Sequence, residues 1–261
     1  MSERRTQVEV SPSPESTRAQ RLASEAVGTG LLLATVVGSG IMGERLAQGS
    51  VALALLANSL ATGAVLFVLI QMLGPISGAH LNPVVTVVEG ARGRLPGRDL
   101  VPYVVAQLAG AVGGVLLAHL MFGEAPFTVS THPRGGLGPL LGEVVATFGL
   151  VSTVLFVSRH RTEAVAMAVS GWVVAGYWFT SSTSFANPAV TVARALTNSF
   201  AGIRPLDVAP FVVAQALGAA LALSLFRYLT APPIPASPGL QIEARGALLG
   251  RPEIAERVEP T

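Results

Sequence analysis

The chain has 261 residues, 51% of them hydrophobic and only 12% charged, with a formal net charge of +2; a soluble domain carries about 25% charged residues, so lipid is the expected solvent. It has no cysteine, which excludes disulfides, thiolate nucleophiles and cysteine metal sites. All 17 basic residues are arginines scattered through loops and tails, which excludes a phosphate-loop lysine and gives no basic patch for nucleic acid.

In chain order, residues 1–20 are polar with Pro and Ser and read as a disordered tail. A membrane helix needs about 20 mostly apolar residues to cross roughly 30 Å of hydrocarbon. The charge-free run 26–43 supports a first span near 22–43, entered at Glu25, and it starts too late for an ordinary cleaved signal. Gly38-x-Gly40-x-x-Gly43 has dinucleotide-loop spacing, but it closes a membrane-length run with no strand before it.

Residues 46–88 are again free of charge. They hold a second span near 51–73, a loop-like Gly74-Pro75-Ile76-Ser77-Gly78, and Asn82-Pro83. Asn is a favoured helix cap and Pro fits the first helical turn, so a helix starts here; Val84 to Ala91 is too short to span. His80 stands beside this start and is expected to bond loop backbone. A third span falls near 99–122 and a fourth near 138–158, the latter carrying Glu143. A fifth lies near 163–180, followed by Thr180-Ser181-Ser182-Thr183-Ser184 and a second short helix from Asn187-Pro188 to about Leu196. The sixth span is near 207–230, and the proline-rich 231–261 reads as a second tail.

The sequence repeats itself between the tails. Asn82-Pro83-Val84-Val85-Thr86-Val87 returns as Asn187-Pro188-Ala189-Val190-Thr191-Val192, five of six identical. The nine residues from Asp99 to Gln107 return from Asp207 to Gln215 with six identities, and Glu25 is echoed by Glu143. Three spans per copy is an odd number, so the copies enter the membrane from opposite sides, as inverted repeats do. With both tails inside, thirteen arginines lie on the inner side; only Arg45, Arg134, Arg194 and Arg204 lie outside, a positive-inside bias. Small residues recur every four positions at Ala106, Gly110 and Gly114, again at Ala214, Gly218 and Ala222, and at Gly138, Gly142 and Ala146, the pattern of close helix crossings in lipid.

Two Pro-started half-helices at matching repeat positions point to the functional site. Their positive N-termini, each worth roughly half a charge, would meet near the midplane, repel cations and leave two asparagine amides for a neutral solute. Glu25 and Glu143 are expected to bond the backbone of the re-entrant loops. Neither a metal-ligand spacing among the four histidines nor a nucleophile–base pair is present, so no metal, cofactor or enzymatic activity is expected. A secondary transporter, the alternative built on inverted repeats, would need a coupling-ion site, and no acidic cluster lies near the Asn-Pro pairs.

Ser77-Gly78-Ala79-His80-Leu81-Asn82-Pro83 and Ser184-Phe185-Ala186-Asn187-Pro188-Ala189 resemble the paired Asn-Pro-Ala boxes of the major intrinsic protein (aquaporin and aquaglyceroporin) family, over about residues 20–230. Glu25, Glu143, Gln107 and Gln215 also fall where that family has them. The resemblance implies an all-α membrane protein with the hourglass fold, six transmembrane helices plus two re-entrant half-helices, in a homotetramer in a prokaryotic plasma membrane with both termini cytoplasmic. It implies a passive channel for small uncharged solutes.

Two departures from the family bear on the solute. The first box reads Asn-Pro-Val, a small change if Val84 faces the other half-helix. Val190 stands where the family usually has the arginine of the outer constriction. The other constriction positions implied are Thr62, Ala175 (or Gly176) and Ser184, all small, which suggests a wide, weakly polar opening. Small filters with valine in place of arginine resemble prokaryotic members associated with metalloid resistance, so arsenite or glycerol-type solutes, with water, are the expected cargo, and a strict water channel is the alternative. Arg194, one turn beyond Val190, has two readings: a positive charge in the outer vestibule, or an arginine reaching to the headgroups.

Overall fold

The computed structural model of the protein describes residues 16–231. Most of both predicted tails lies outside the described residues. The N-terminal helix, however, begins inside the expected tail. Thr17 caps it in a capping box with Gln20, so α1 runs Arg18–Leu46. Then come α2 (Val51–Ser77), the half-helix α3 (Pro83–Ala91), α4 (Gly97–Phe122), α5 (Leu137–His160), α6 (Val165–Phe179), the half-helix α7 (Pro188–Ala193) and α8 (Pro205–Thr230). The described residues through Phe226 form one compact unit, and the last turn of α8 from Arg227 belongs to a second.

Among the described residues, five helices are long and apolar enough to cross a membrane. The sixth expected span, α6, has only 15 residues, about 22 Å at 1.5 Å per residue. A single 3-10 turn at Thr162–Ala164 precedes it and adds about 6 Å. Their outward faces carry exposed Leu60, Met121, Leu141, Met167 and Val213, while Glu25, Gln107, Glu143 and Gln215 are fully buried. Such polarity, oily outside and polar inside, belongs to a chain whose solvent is lipid.

The two repeats interlock. Val84 and Val88 of α3, from the first repeat, pack with Val151 and Leu155 of α5 and Ala219 and Ala222 of α8, from the second. Ala189, Val190 and Ala193 of α7 pack in return with Leu32 and Val36 of α1, Leu69 and Leu73 of α2 and Ala111 and Val115 of α4. Val84 therefore packs against α5 and α8, which corrects the expectation that it faces the other half-helix. Valine fits because that pocket is built from aliphatic side chains of the opposite repeat.

The small-residue stripes mark the closest crossings. A Cβ on Gly110 would collide with the Ala26 carbonyl of α1, one on Gly114 with the Gly30 carbonyl, and one on the repeat-related Gly218 with the Val144 carbonyl of α5. Backbone cannot yield as a side chain can. Gly110→Val is expected to cost at least about 2 kcal/mol through overpacking, read as a lowered unfolding midpoint in detergent, with Gly113→Val, where a Cβ meets nothing, as the tolerated control.

Candidate functional site

The site begins with two loops that cannot be regular. Ala79 and Leu81 have φ of 46° and 50°, and Ser184 and Ala186, their repeat equivalents, have 52° and 49°. With Thr183 at 62°, that makes five non-glycine residues of these loops in left-handed backbone, which is costly and persists only where the surroundings impose it. Here the imposing groups are the two buried glutamates. Glu25 Oε1 accepts from the Ser77 hydroxyl (2.7 Å) and the His80 N–H (2.9 Å). Its Oε2 accepts from the Leu81 N–H (2.7 Å) and the Gln107 amide (2.8 Å). In the second repeat, Glu143 accepts from the N–H groups of Phe185 (2.8 Å) and Ala186 (2.9 Å) and from the Gln215 amide (2.6 Å).

Each glutamine passes the connection on. The Gln107 amide also donates to Thr86 and the Gln215 amide to Thr191, both at 2.8 Å. Those threonines donate to the carbonyls of Asn82 (3.0 Å) and Asn187 (2.8 Å). His80 Nδ1 lies 3.1 Å from the Thr86 hydroxyl; because that hydroxyl already donates to Asn82, the imidazole is the donor there. The His80 side chain thus bonds a half-helix threonine and not loop backbone, which corrects the expectation; it is the His80 backbone N–H that Glu25 holds.

The half-helices meet at their starts. Asn82 caps α3 by accepting from the Val84 N–H (3.0 Å), and Asn187 caps α7 by accepting from the N–H groups of Ala189 (3.0 Å) and Val190 (3.3 Å). Pro83 and Pro188 open the two helices. The Asn82 amide donates across the repeat boundary to the Ala186 carbonyl, and the Asn187 amide to the Leu81 carbonyl, each at 2.8 Å. An amide has two N–H donors; one on each asparagine is spent on this cross-bond, leaving one for a passing molecule.

Both asparagines line a cavity of about 1060 Å³ that runs from Arg98 and Glu163 at one end to Val190 and Arg194 at the other. Part of the lining is apolar, with Leu66, Ile70, Leu150, Val154, Val169 and Val173. The lining also includes the two loops, residues 77–81 and 184–186, together with the asparagines. Charged lining residues sit only toward the ends.

At the far end the structure brings together Thr62, Ser184 and Val190, as expected, but not Ala175. Ala175 is exposed on the outer face of α6. The lining side of α6 is Ala166, Val169, Val173 and Tyr177, spaced three and four apart, and position 175 lies half a turn from that stripe. Gly176 is buried behind the lining, where a Cβ would come within 2.6 Å of the Ser184 hydroxyl. The place given to a small residue is thus taken by Tyr177, whose hydroxyl lies 3.2 Å from that of Thr62. The lining at this end of the cavity is therefore neither uniformly small nor weakly polar.

Arg194 corrects the headgroup reading. It is only 2% exposed. Its guanidinium lies 3.4 Å from the centroid of Phe185, its Nε donates to the Ala201 carbonyl, and the side chain lines the cavity's end. Arg134, which the sequence marked only as one of the outer arginines because no periodicity gives a lone loop residue a contact, approaches the same ring at 5.0 Å. It donates to the carbonyls of Gly202 (2.7 Å) and Phe200 (3.2 Å) and to the Thr183 hydroxyl (3.3 Å), tying the outer loops together. Burial pulls the Arg134 pKa below the usual arginine range, with Tyr177 and Glu143 acting the other way.

The comparisons with known proteins agree with this architecture. The profile of the family described as Major intrinsic protein matches residues 13–175. The chain is 54% identical over 216 residues to the Aquaglyceroporin AqpS of Rhizobium meliloti (strain 1021), covering 83% of this chain and 92% of that one. It is 33% identical over 240 residues to the Probable aquaporin AqpM of Archaeoglobus fulgidus, covering 82% and 98%. The X-ray structure of the aquaglyceroporin from Plasmodium falciparum superposes with a TM-score of 0.64 at 17% identity, covering 83% of this chain and 98% of that one, a likeness of fold.

Proposed function

This chain belongs to the major intrinsic protein family and is a passive membrane channel for small neutral solutes, and we propose that it passes glycerol-type polyols and arsenous acid together with water. The observation that carries this reading is the mixed lining of the conduit. A polyol has a hydrocarbon edge and an oxygenated edge, and the cavity lining combines aliphatic side chains with the two re-entrant loops and two asparagine amides. Arsenous acid is uncharged at neutral pH and similar in size to glycerol. The family is one of channels rather than enzymes.

In this reading Asn82 and Asn187 offer their spare N–H groups to the solute, and Pro83 and Pro188 start the helices whose positive ends face it. Glu25, Glu143, Gln107 and Gln215 hold the loops, and the His80 side chain bonds Thr86 of the first half-helix. Thr62, Tyr177, Ser184 and Val190 line the constriction, and Arg194 brings positive charge to the outer vestibule in place of the arginine absent at 190. The protein is an integral membrane protein; the plasma membrane of a prokaryote, cytoplasmic termini and a homotetramer complete the proposal, the orientation resting on the thirteen-to-four arginine bias.

The test is solute-driven swelling of proteoliposomes. Glycerol flux should exceed that of empty vesicles, rise linearly with concentration and ignore a proton or sodium gradient. Flux that saturates at low glycerol or follows a gradient would favour a secondary transporter, and water flux without glycerol flux would favour a strict water channel.

A further inference from the structure

The guanidinium of Arg194 is used by the protein only in part. Its Nε bonds the Ala201 carbonyl and its face covers Phe185. Among the described residues its two Nη groups have no hydrogen-bond acceptor and no carboxylate pairs with it. The nearby acids are committed elsewhere: Glu143 to the loop N–H groups, and Asp207 to the Arg134 N–H (2.8 Å) and Arg204 (2.9 Å). Arg134 spends its own donors on carbonyls and a hydroxyl. A charge this deeply buried is expensive to leave unpaired, and arginine does not escape by losing its proton.

We propose that the free Nη edge of Arg194 is a binding site for a small monovalent oxyanion, lying in series with the solute path so that an occupied site slows transport. The planar fork of a guanidinium matches two oxygens of one ion, a geometry chloride does not offer. Phe185 covers one face of the fork and Ala201 holds its proximal nitrogen, Nε, so the Nη edge is what remains on a side chain that lines the cavity. The inference rests on the reading of this cavity as the solute path.

Nitrate, a planar oxyanion, is the probe. In proteoliposomes of the full chain, glycerol swelling is compared in sodium nitrate and sodium chloride at equal concentration on both sides. The wild type should slow progressively in nitrate, to about half its chloride rate when half the sites are filled. Arg194→Gln, measured against its own chloride rate, should lose the difference, and Arg194→Lys, which keeps the charge without the fork, should keep only part of it. In detergent, nitrate should raise the unfolding midpoint of the wild type relative to chloride and not that of Arg194→Gln. Equal behaviour of the wild type in the two salts, in both assays, overturns the site, as does an equal nitrate effect on Arg194→Gln. Absence of glycerol flux in chloride would sink the channel reading instead, and the unfolding assay would still read the site.

Discussion

Glu143→Ala is expected to lower the stability of the folded channel by about 3–5 kcal/mol, the range for stripping one partner from a buried, charged hydrogen-bond set. The carboxylate is fully buried and accepts three N–H bonds, from Phe185, Ala186 and Gln215. Without it those donors face an apolar interior, and the left-handed turn at Ser184 and Ala186 loses what holds it. Asn187, which follows directly, would no longer be presented to the conduit, so glycerol flux should fall with the unfolding midpoint. Glu143→Gln keeps one acceptor oxygen and should cost roughly half as much. Glu25→Ala should match Glu143→Ala, because the first repeat is wired the same way. Wild-type stability in the alanine variants would mean the glutamates do not carry the loops.

Val190→Arg should cut glycerol flux by at least about tenfold while reducing water flux much less, since pore diameter and lining groups set what passes. Val190 lines the conduit at the same end as Thr62, Tyr177 and Ser184. A guanidinium there would reach toward the Thr62–Tyr177 hydroxyl pair and occupy the width a three-carbon polyol needs. It would also stand one turn from Arg194, and two buried positive charges that close repel each other, which restricts the opening further. The check is swelling with glycerol beside osmotic water flux in the same vesicles. A parallel fall in both rates, or none, would show that position 190 does not gate by size.

The wiring diagram was legible before any coordinates. The paired Asn-Pro starts, the echoed glutamates and the repeated Asp-x-x-Pro to Gln stretch all mark places where backbone at membrane depth must be satisfied by something local. That need is met by particular residue types, so the residues betray it. The long helices were also plain, because each is built on an apolar run almost free of charge, whereas the shortness of α6 was not. The capped start of α1 at Arg18 was harder to see, since its partner Asp99, which binds Arg18 at 2.8 Å and Arg21 at 2.9 Å, is about eighty residues away.

What the sequence by itself determined, then, is the class of solvent, the inverted pair of re-entrant helices and the groups that brace them, since each follows from hydrocarbon's refusal to hydrogen-bond. Only the tertiary structure decided which residues line the far end of the cavity. Which face of α6 looks inward depends on how that helix is rotated by its neighbours, and a rotation of half a turn exchanges Ala175 for Tyr177. The place of Arg194 likewise depends on Phe185 and Ala201 coming to meet it, contacts between segments whose packing no local pattern encodes.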